Sequence, residues 1–279
     1  MSDGRVFIAG CRAAVTTDSP CAQVVTCSRR LLAPDPSGCW DEATVVGVWP
    51  ENDTATTLRL ELPEVADFLP GQYYLVRLGI PQPPGAIEQP YSVSSAPYPS
   101  SREMEITVRE VKGGRASPLL VREVQVGDLL QLRGPFGFLT WSEQDGGPVM
   151  LIGAGSGVSP LMSIAQYAAA RHLRVPMSML CSSREMSSVL FEESLEHLRW
   201  HWPWLSVTHT LTRRFDRRLA SYGRRIDAAM IKEIVSRLGW EGSDVRFFVA
   251  GPAEMVEATR AAIVAVFGPD ADVNSEDHT

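Results

Sequence analysis

Residues 149–160, Val-Met-Leu-Ile-Gly-Ala-Gly-Ser-Gly-Val-Ser-Pro, constrain this chain more than any other stretch. Four apolar residues bounded by glycine read as a buried parallel strand. The apolar, small-residue run after Pro160 (Leu161, Met162, Ile164, Ala165, Tyr167, Ala168) reads as a helix. Gly153, Gly155 and Gly157 remove the side chains that would block close backbone approach, so the amides of a helix start can meet an anion with the favourable end of the dipole. The spacing departs from the Gly-x-Gly-x-x-Gly dinucleotide fingerprint, and a tight strand-to-helix turn without a ligand is the alternative.

Upstream of this stretch the pattern is different. Residues 1–38 show no sustained period and read as an extension, partly disordered, ahead of a domain over 39–143. Strands are expected at 43–48, 57–62 (Thr-Leu-Arg-Leu-Glu-Leu, alternating with period two), 73–78, 91–95, 104–111 and 128–132, with turns or loops at 68–72, 81–85 and 134–138. Six short strands with turn signals between them predict a small antiparallel barrel. Its one helical stretch, 118–123, is preceded by Lys112-Gly113-Gly114-Arg115-Ala116-Ser117, which offers amides and a hydroxyl at a helix start.

The polar, glycine-rich residues 142–147 mark a boundary, and a second domain is expected over 148–279. There, apolar strands at 177–181, 206–211 and 245–250 alternate with helices at 189–200, 227–238 and 253–267, a βαβ series that predicts a parallel sheet. Ligands bind beyond the carboxyl ends of such strands. The residues expected there are Gly153, Gly155, Ser156, Gly157 and Pro160, then Ser183, Arg184, Thr212, Arg213, Gly251 and Pro252.

Composition narrows the function classes. No apolar run reaches the length of a membrane span, and a net charge of −7 argues against general nucleic-acid binding, although six arginines lie between residues 213 and 225. The five cysteines (Cys11, Cys21, Cys27, Cys39, Cys181) follow no metal or ferredoxin spacing and are expected as reduced thiols in a cytoplasmic protein. His197 and His201 share a helix face but lack a third ligand, so no metal site is expected.

A barrel followed by a parallel sheet, with these motifs in this order, resembles the ferredoxin-NADP reductase family of flavin oxidoreductases. The likeness runs from Trp40 to Glu276. Pro70-Gly71-Gln72 matches the family's Pro-Gly-Gln turn, and Gln89-Pro90-Tyr91-Ser92 occupies its Arg-x-Tyr-Ser motif. Residues 113–117 match its flavin pyrophosphate loop, 134–137 its Gly-Pro-x-Gly turn and 153–160 its nicotinamide-nucleotide loop, and Ala250-Gly251-Pro252 stands where the family has Cys-Gly-Pro.

The resemblance implies FAD as cofactor and NADPH as donor, NADH being the alternative, with hydride passing to the flavin and electrons onward. The cysteines show no iron-sulfur spacing, so the implied acceptor is a separate protein such as a ferredoxin, a flavodoxin or an oxygenase component. Tyr91, Ser92 and Glu276 are the expected catalytic residues. Tyr91 stacks on the flavin ring and Ser92 bonds near its reactive nitrogen. Gln89, Val93, Gly113, Gly114, Ala116 and Ser117 bind the flavin with them. Thr212-Arg213 stands where NADP-preferring members keep a Ser-Arg pair suited to a 2′-phosphate. Three departures accompany the likeness. Gln89 supplies no charge where the family has arginine, Ala250 replaces the cysteine, and the chain closes on Glu276-Asp277-His278-Thr279 without a terminal aromatic. Taken at face value they predict a nucleotide-binding module without turnover. A further alternative keeps the enzyme with FMN in place of FAD.

Overall fold

Alternation organises the first half of the chain. In the computed structural model, which describes residues 40–81, 84–241 and 244–277, Ala43, Val45 and Gly47 are buried along β1 (Asp41–Asn52) and the residues between them are half-buried. With β2 (Ala55–Glu61), β3 (Tyr73–Pro81), β4 (Pro84–Ser92), β5 (Glu103–Arg109) and β6 (Leu129–Phe136) it forms an antiparallel sheet in the order β4-β3-β6-β1-β2-β5. The two edges meet just past β4, where Val93 bridges Ile106 and the Ser94 amide donates to the Glu105 carbonyl at 2.8 Å, so the sheet curls into a barrel. Leu58, Leu60, Leu78, Ile106, Leu130 and Leu132 fill it, each contributing about 1.5–3 kcal/mol by leaving water. Leu120, from α1 (Ser117–Arg122), joins the same core.

Two expectations in the barrel need correction. The loop expected at 81–85 and the strand expected at 91–95 are replaced by a hairpin in which β4 pairs with β3, Tyr74 opposite Tyr91. Residues 85–90 are exposed or half-buried at the sheet edge, so they carry no alternation to read, and an edge tolerates Pro90. The turn expected at 134–138 begins later, because β6 continues to Phe136. Pairing of β6 with β1 ends at Leu132, so the missing amide of Pro135 costs no ladder bond on that side.

The second half is a five-stranded parallel sheet in the order β11-β10-β7-β8-β9. It comprises β7 (Val149–Ala154), β8 (Met177–Ser183), β9 (Leu205–Leu211), β10 (Arg246–Gly251) and β11 (Val273–Asp277). The helices α2 (Val158–Ala170), α3 (Glu192–His201), α4 (Ala228–Arg237) and α5 (Ala253–Phe267) connect them, and α4 starts on Asp227, whose carboxylate accepts from the Met230 amide at 2.8 Å. Apolar clusters cover both faces of the sheet, as its continuous hydrophobic strands require. Among the described residues no helix is long and apolar enough to cross a membrane.

Strand β11 was not expected. Its sequence, Val-Asn-Ser-Glu-Asp, is polar because it is a half-buried edge strand held by backbone pairing to β10. The extension, with Cys11, Cys21, Cys27 and Cys39, lies outside the described residues, as does His278. His197 and His201 stack with ring centroids 4.0 Å apart on α3, and among the described residues no three His, Cys, Asp or Glu side chains group to hold a metal.

The two halves share packing. Ala55, Leu139 and Trp141 enter the core formed around α2, and the Ser163 hydroxyl on α2 donates to the Ser95 carbonyl beyond β4 at 2.7 Å.

Candidate functional site

The chain runs outward from β7 through β8 to β9, then returns to the other side of β7 as β10. A reversal of this kind opens a crevice beyond the carboxyl ends of β7 and β10. The glycine turn fills it: a 3-10 turn over Gly155–Gly157 joins β7 to α2. Gly157 lies so close to β10 that an added Cβ would sit 2.3 Å from the Ala250 carbonyl oxygen, so only glycine allows the helix start to face the crevice.

That crevice opens into a cleft of about 960 Å³ between the two halves. The barrel wall presents Gln89, Tyr91 and Ser92 from β4 and Thr107 and Arg109 from β5, and the loop Gly113, Gly114, Arg115, Ala116 and Ser117 closes one end. Opposite stand Ser156, Ser159 and residues 273–277 of β11, including Glu276. The β10–β11 register sets Glu276 opposite Ala250, at the carboxyl edge of the sheet. From there it reaches the barrel: a Cβ added to Gly137 would lie 3.0 Å from Tyr73 and 3.5 Å from Glu276 Oε2.

The electrostatics of the cleft are uneven. Burial pushes the Tyr91 phenol well above its usual pKa, so the ring is a neutral surface at physiological pH. Arg109 is half-buried; burial first, and then the guanidinium of Arg184, lower its pKa, yet an arginine stays charged. A Cβ added to Gly155 would lie 3.4 Å from Nη1 of Arg109, so this cation from the barrel abuts the glycine turn of the other half. Beside it Ser159 is buried, and its hydroxyl has no hydrogen-bond partner. A buried hydroxyl left unpaired costs about 1–3 kcal/mol, which a ligand polar group would recover.

The loop at the other end is self-contained. The Ser117 hydroxyl accepts from the Val111 amide at 3.0 Å and the Gly114 amide donates to the Val111 carbonyl at 2.8 Å.

Of the expected residues, Gln89, Tyr91, Ser92, Gly113, Gly114, Ala116, Ser117, Ser156 and Glu276 line this cleft together. Val93 does not: its side chain is fully buried in the barrel core, because it follows Ser92 on the opposite face of the chain. Gly153 and Pro160 are buried beneath the turn. Ser183, Arg184, Thr212 and Arg213 form a group of their own farther along the sheet edge, where the Thr212 amide donates to the Ser183 carbonyl and the Arg213 amide to the Arg184 carbonyl, both at 2.9 Å. Gly251 ends β10 and Pro252 follows it, and neither is among the residues lining the cleft. Of the six arginines between 213 and 225, all exposed, Arg218 pairs with Asp216 and Arg224 with Asp227.

Sequence reasoning passed over Arg109 and Tyr73, whereas Ser159 lay inside the expected nucleotide loop and Phe138 in the expected 134–138 turn. Arg109 had a signal: it follows Val108 in an alternating strand and so faces away from the core.

Comparison with known proteins agrees with this geometry. Residues 50–141 match the oxidoreductase FAD-binding domain and residues 151–261 the oxidoreductase NAD-binding domain, in that order and spanning most of the chain. The chain belongs to the ferredoxin reductase-like family of FAD- and NAD-binding oxidoreductases. Among its relatives is the ferredoxin–NAD(P)(+) reductase component of the naphthalene 1,2-dioxygenase system of Pseudomonas putida, 29% identical over 217 residues, which are 78% of this chain and 62% of that protein. The corresponding reductase component of the naphthalene 1,2-dioxygenase/salicylate 5-hydroxylase systems of a Ralstonia species is 28% identical over 90% of this chain and 72% of its own length. In structure, the cytochrome P450 reductase of Amycolatopsis superposes with a TM-score of 0.73 at 25% identity, over 85% of this chain and 69% of that one. The chain spans about two thirds of the length of these three relatives.

Proposed function

We propose that this chain is an NAD(P)H-dependent flavin reductase that delivers electrons to a separate acceptor protein of an oxygenase system. The observation that carries the reading is the shared cleft: one face comes from the FAD-binding barrel, the other from the carboxyl edge of the NAD-binding sheet. Bound flavin accepts two electrons as hydride and releases them singly.

The residues present fit both groups. Tyr91 offers a neutral aromatic surface to a planar ring, and Ser92, nearly buried beside it, holds a hydroxyl where a proton can be managed. Gly114, Ala116 and Ser117 hold the flavin phosphates at the closed loop. Arg109 supplies to the cleft a positive charge that Gln89 does not. Together with the amides of 155–157 it receives the pyrophosphate of the nicotinamide nucleotide, and the orphaned Ser159 hydroxyl takes a polar group of the same ligand. Glu276, whose carboxylate approaches Gly137 of the barrel, would hold or pass a proton beside a bound flavin. Arg213 selects NADPH through the 2′-phosphate. The relatives named above supply the acceptor class. The reading places the protein in the cytoplasm, with Cys181 a buried reduced thiol.

The deciding experiment is the visible spectrum of the purified protein before and after anaerobic NADPH. Flavin bands that bleach on NADPH support the reading. A protein that stays colourless after reconstitution with FAD overturns it in favour of a nucleotide-binding module without turnover. Arg213→Ala is expected to raise KM for NADPH with little change for NADH, and equal effects on both would refute the selectivity.

A further inference from the structure

The hairpin joining β1 to β2 reaches out of the barrel and grips the other half of the molecule. Glu51 sits between the two: its Oε1 accepts from the Thr57 hydroxyl at 2.6 Å, and its Oε2 accepts from the backbone amide of Phe191 at 2.9 Å. Next to it the Asn52 side chain donates to the Val189 carbonyl at 3.0 Å. Phe191 precedes α3 and has no side-chain cap of its own, and its φ of 58° is left-handed, a costly conformation for a bulky residue. The carboxylate of Glu51 therefore acts as the cap of α3, supplied from the opposite domain.

The segment held in this way begins at Ser183 and Arg184. It is stiff along its length. The amides of Arg184 and Glu185 both donate to the Ser188 hydroxyl, at 3.2 and 3.1 Å, and that hydroxyl donates to the Glu185 carbonyl at 2.7 Å. The Arg184 carbonyl in turn accepts from the amides of Arg213 and Arg214. A displacement at Phe191 is thus carried back to Arg184 and on to the arginines beside it, and the β7–β8 register, with Ala154 opposite Ser182, makes Arg184 leave the sheet beside the glycine turn that Arg109 abuts.

We propose that Glu51 is a positioning residue for nicotinamide-nucleotide binding: by fixing Phe191 it holds the loop between β8 and α3 so that Arg184, from one domain, stands against the same anionic ligand as Arg109, from the other. This rests on the reading that the nucleotide's phosphates lie between the glycine turn and Arg109. Two guanidiniums facing one site repel each other, and a diphosphate bound between them offsets that repulsion while accepting hydrogen bonds from both.

The test is titration of the FAD-loaded protein with NADP+, in wild type, Glu51→Ala, Glu51→Gln and Arg109→Ala, with FAD content and melting temperature measured alongside. Glu51→Ala should raise the Kd for NADP+ about fivefold or more, and Glu51→Gln, which keeps one acceptor oxygen, should fall between it and wild type. FAD content should stay unchanged, and in turnover KM for NADPH should rise with kcat held. Wild-type NADP+ affinity in Glu51→Ala, with only its melting temperature lowered, would overturn the proposal by showing that the clasp is merely structural. If Glu51→Ala does not fold, Glu51→Gln decides in the same way. Should Arg109→Ala also bind NADP+ normally, the reading of the phosphate site fails with it; a weakened Arg109→Ala beside an unaffected Glu51→Ala sinks the clasp alone.

Discussion

The cleft has two glycine-rich ends, and they are built by different means. The loop at 113–117 is braced by its own chain: Ser117 and Gly114 bond to Val111, two strands' worth of barrel stand behind it, and nothing from the other domain is required. The turn over Gly155–Gly157 is closed by the Val158 amide, which donates to the Gly155 and Ser156 carbonyls, but it also draws on the other domain. Its shape is set by contact with β10, its cation comes from Arg109 on the barrel, and its Ser159 hydroxyl is left without a partner. A pre-formed loop suits a cofactor that stays bound. A site assembled from two domains suits a ligand that arrives and leaves, because its affinity can be tuned by how the domains meet.

Four substitutions would break or sharpen this contrast. The largest effect is expected from Gly157→Ala, whose methyl would lie 2.3–2.5 Å from the backbone of Ala250 and Gly251. Overpacking against backbone should destabilise the NAD-binding half by about 3 kcal/mol, read as a lowered melting temperature together with lost NADP+ binding. Arg109→Ala comes next. Removal of a charge-assisted contact should weaken NADP+ roughly tenfold to a hundredfold in a binding titration, with a far smaller change in FAD retention. Equal losses of both ligands would mean that the two ends are one site.

Ser117→Ala is its counterpart. Loss of the hydroxyl brace on the Val111 amide should weaken FAD by about fivefold, measured by cofactor release on dilution, while NADP+ affinity is kept. Ser159→Ala should have the smallest effect and an unusual sign. Deleting an unpaired buried hydroxyl should leave the melting temperature of the nucleotide-free protein equal or slightly raised, while NADP+ binding weakens by about threefold. A clear destabilisation would show that the hydroxyl serves the fold.

Much of this architecture was legible in the chain. The alternation of Thr57-Leu58-Arg59-Leu60-Glu61-Leu62 announces a half-buried strand, and the four apolar residues before Gly153 announce a central parallel one, because burial on one face or both writes itself directly into side-chain polarity. The edges were less legible. β4 and β11 are held by backbone bonds and leave most of their described side chains exposed or half-buried, so 81–85 read as loop and no strand was expected at 273–277. The site divides along the same line. Tyr91, Ser92 and the 113–117 loop could be named from motif, whereas the motif does not record that the Val93 side chain enters the barrel core, one step along an extended chain turning a side chain to the opposite face.

Sequence alone determined the two-part plan, the glycine turn at the start of α2 and the aromatic-hydroxyl pair on the barrel, because each depends on neighbours within a few residues. Only the tertiary structure decided that Arg109 would meet Gly155, that Glu276 would face Gly137, and that Glu51 would cap a helix 140 residues away. Those meetings depend on the reversal of strand order at β7 and on the angle at which the barrel is docked. Both are properties of packing between elements, and no local pattern of polarity records them.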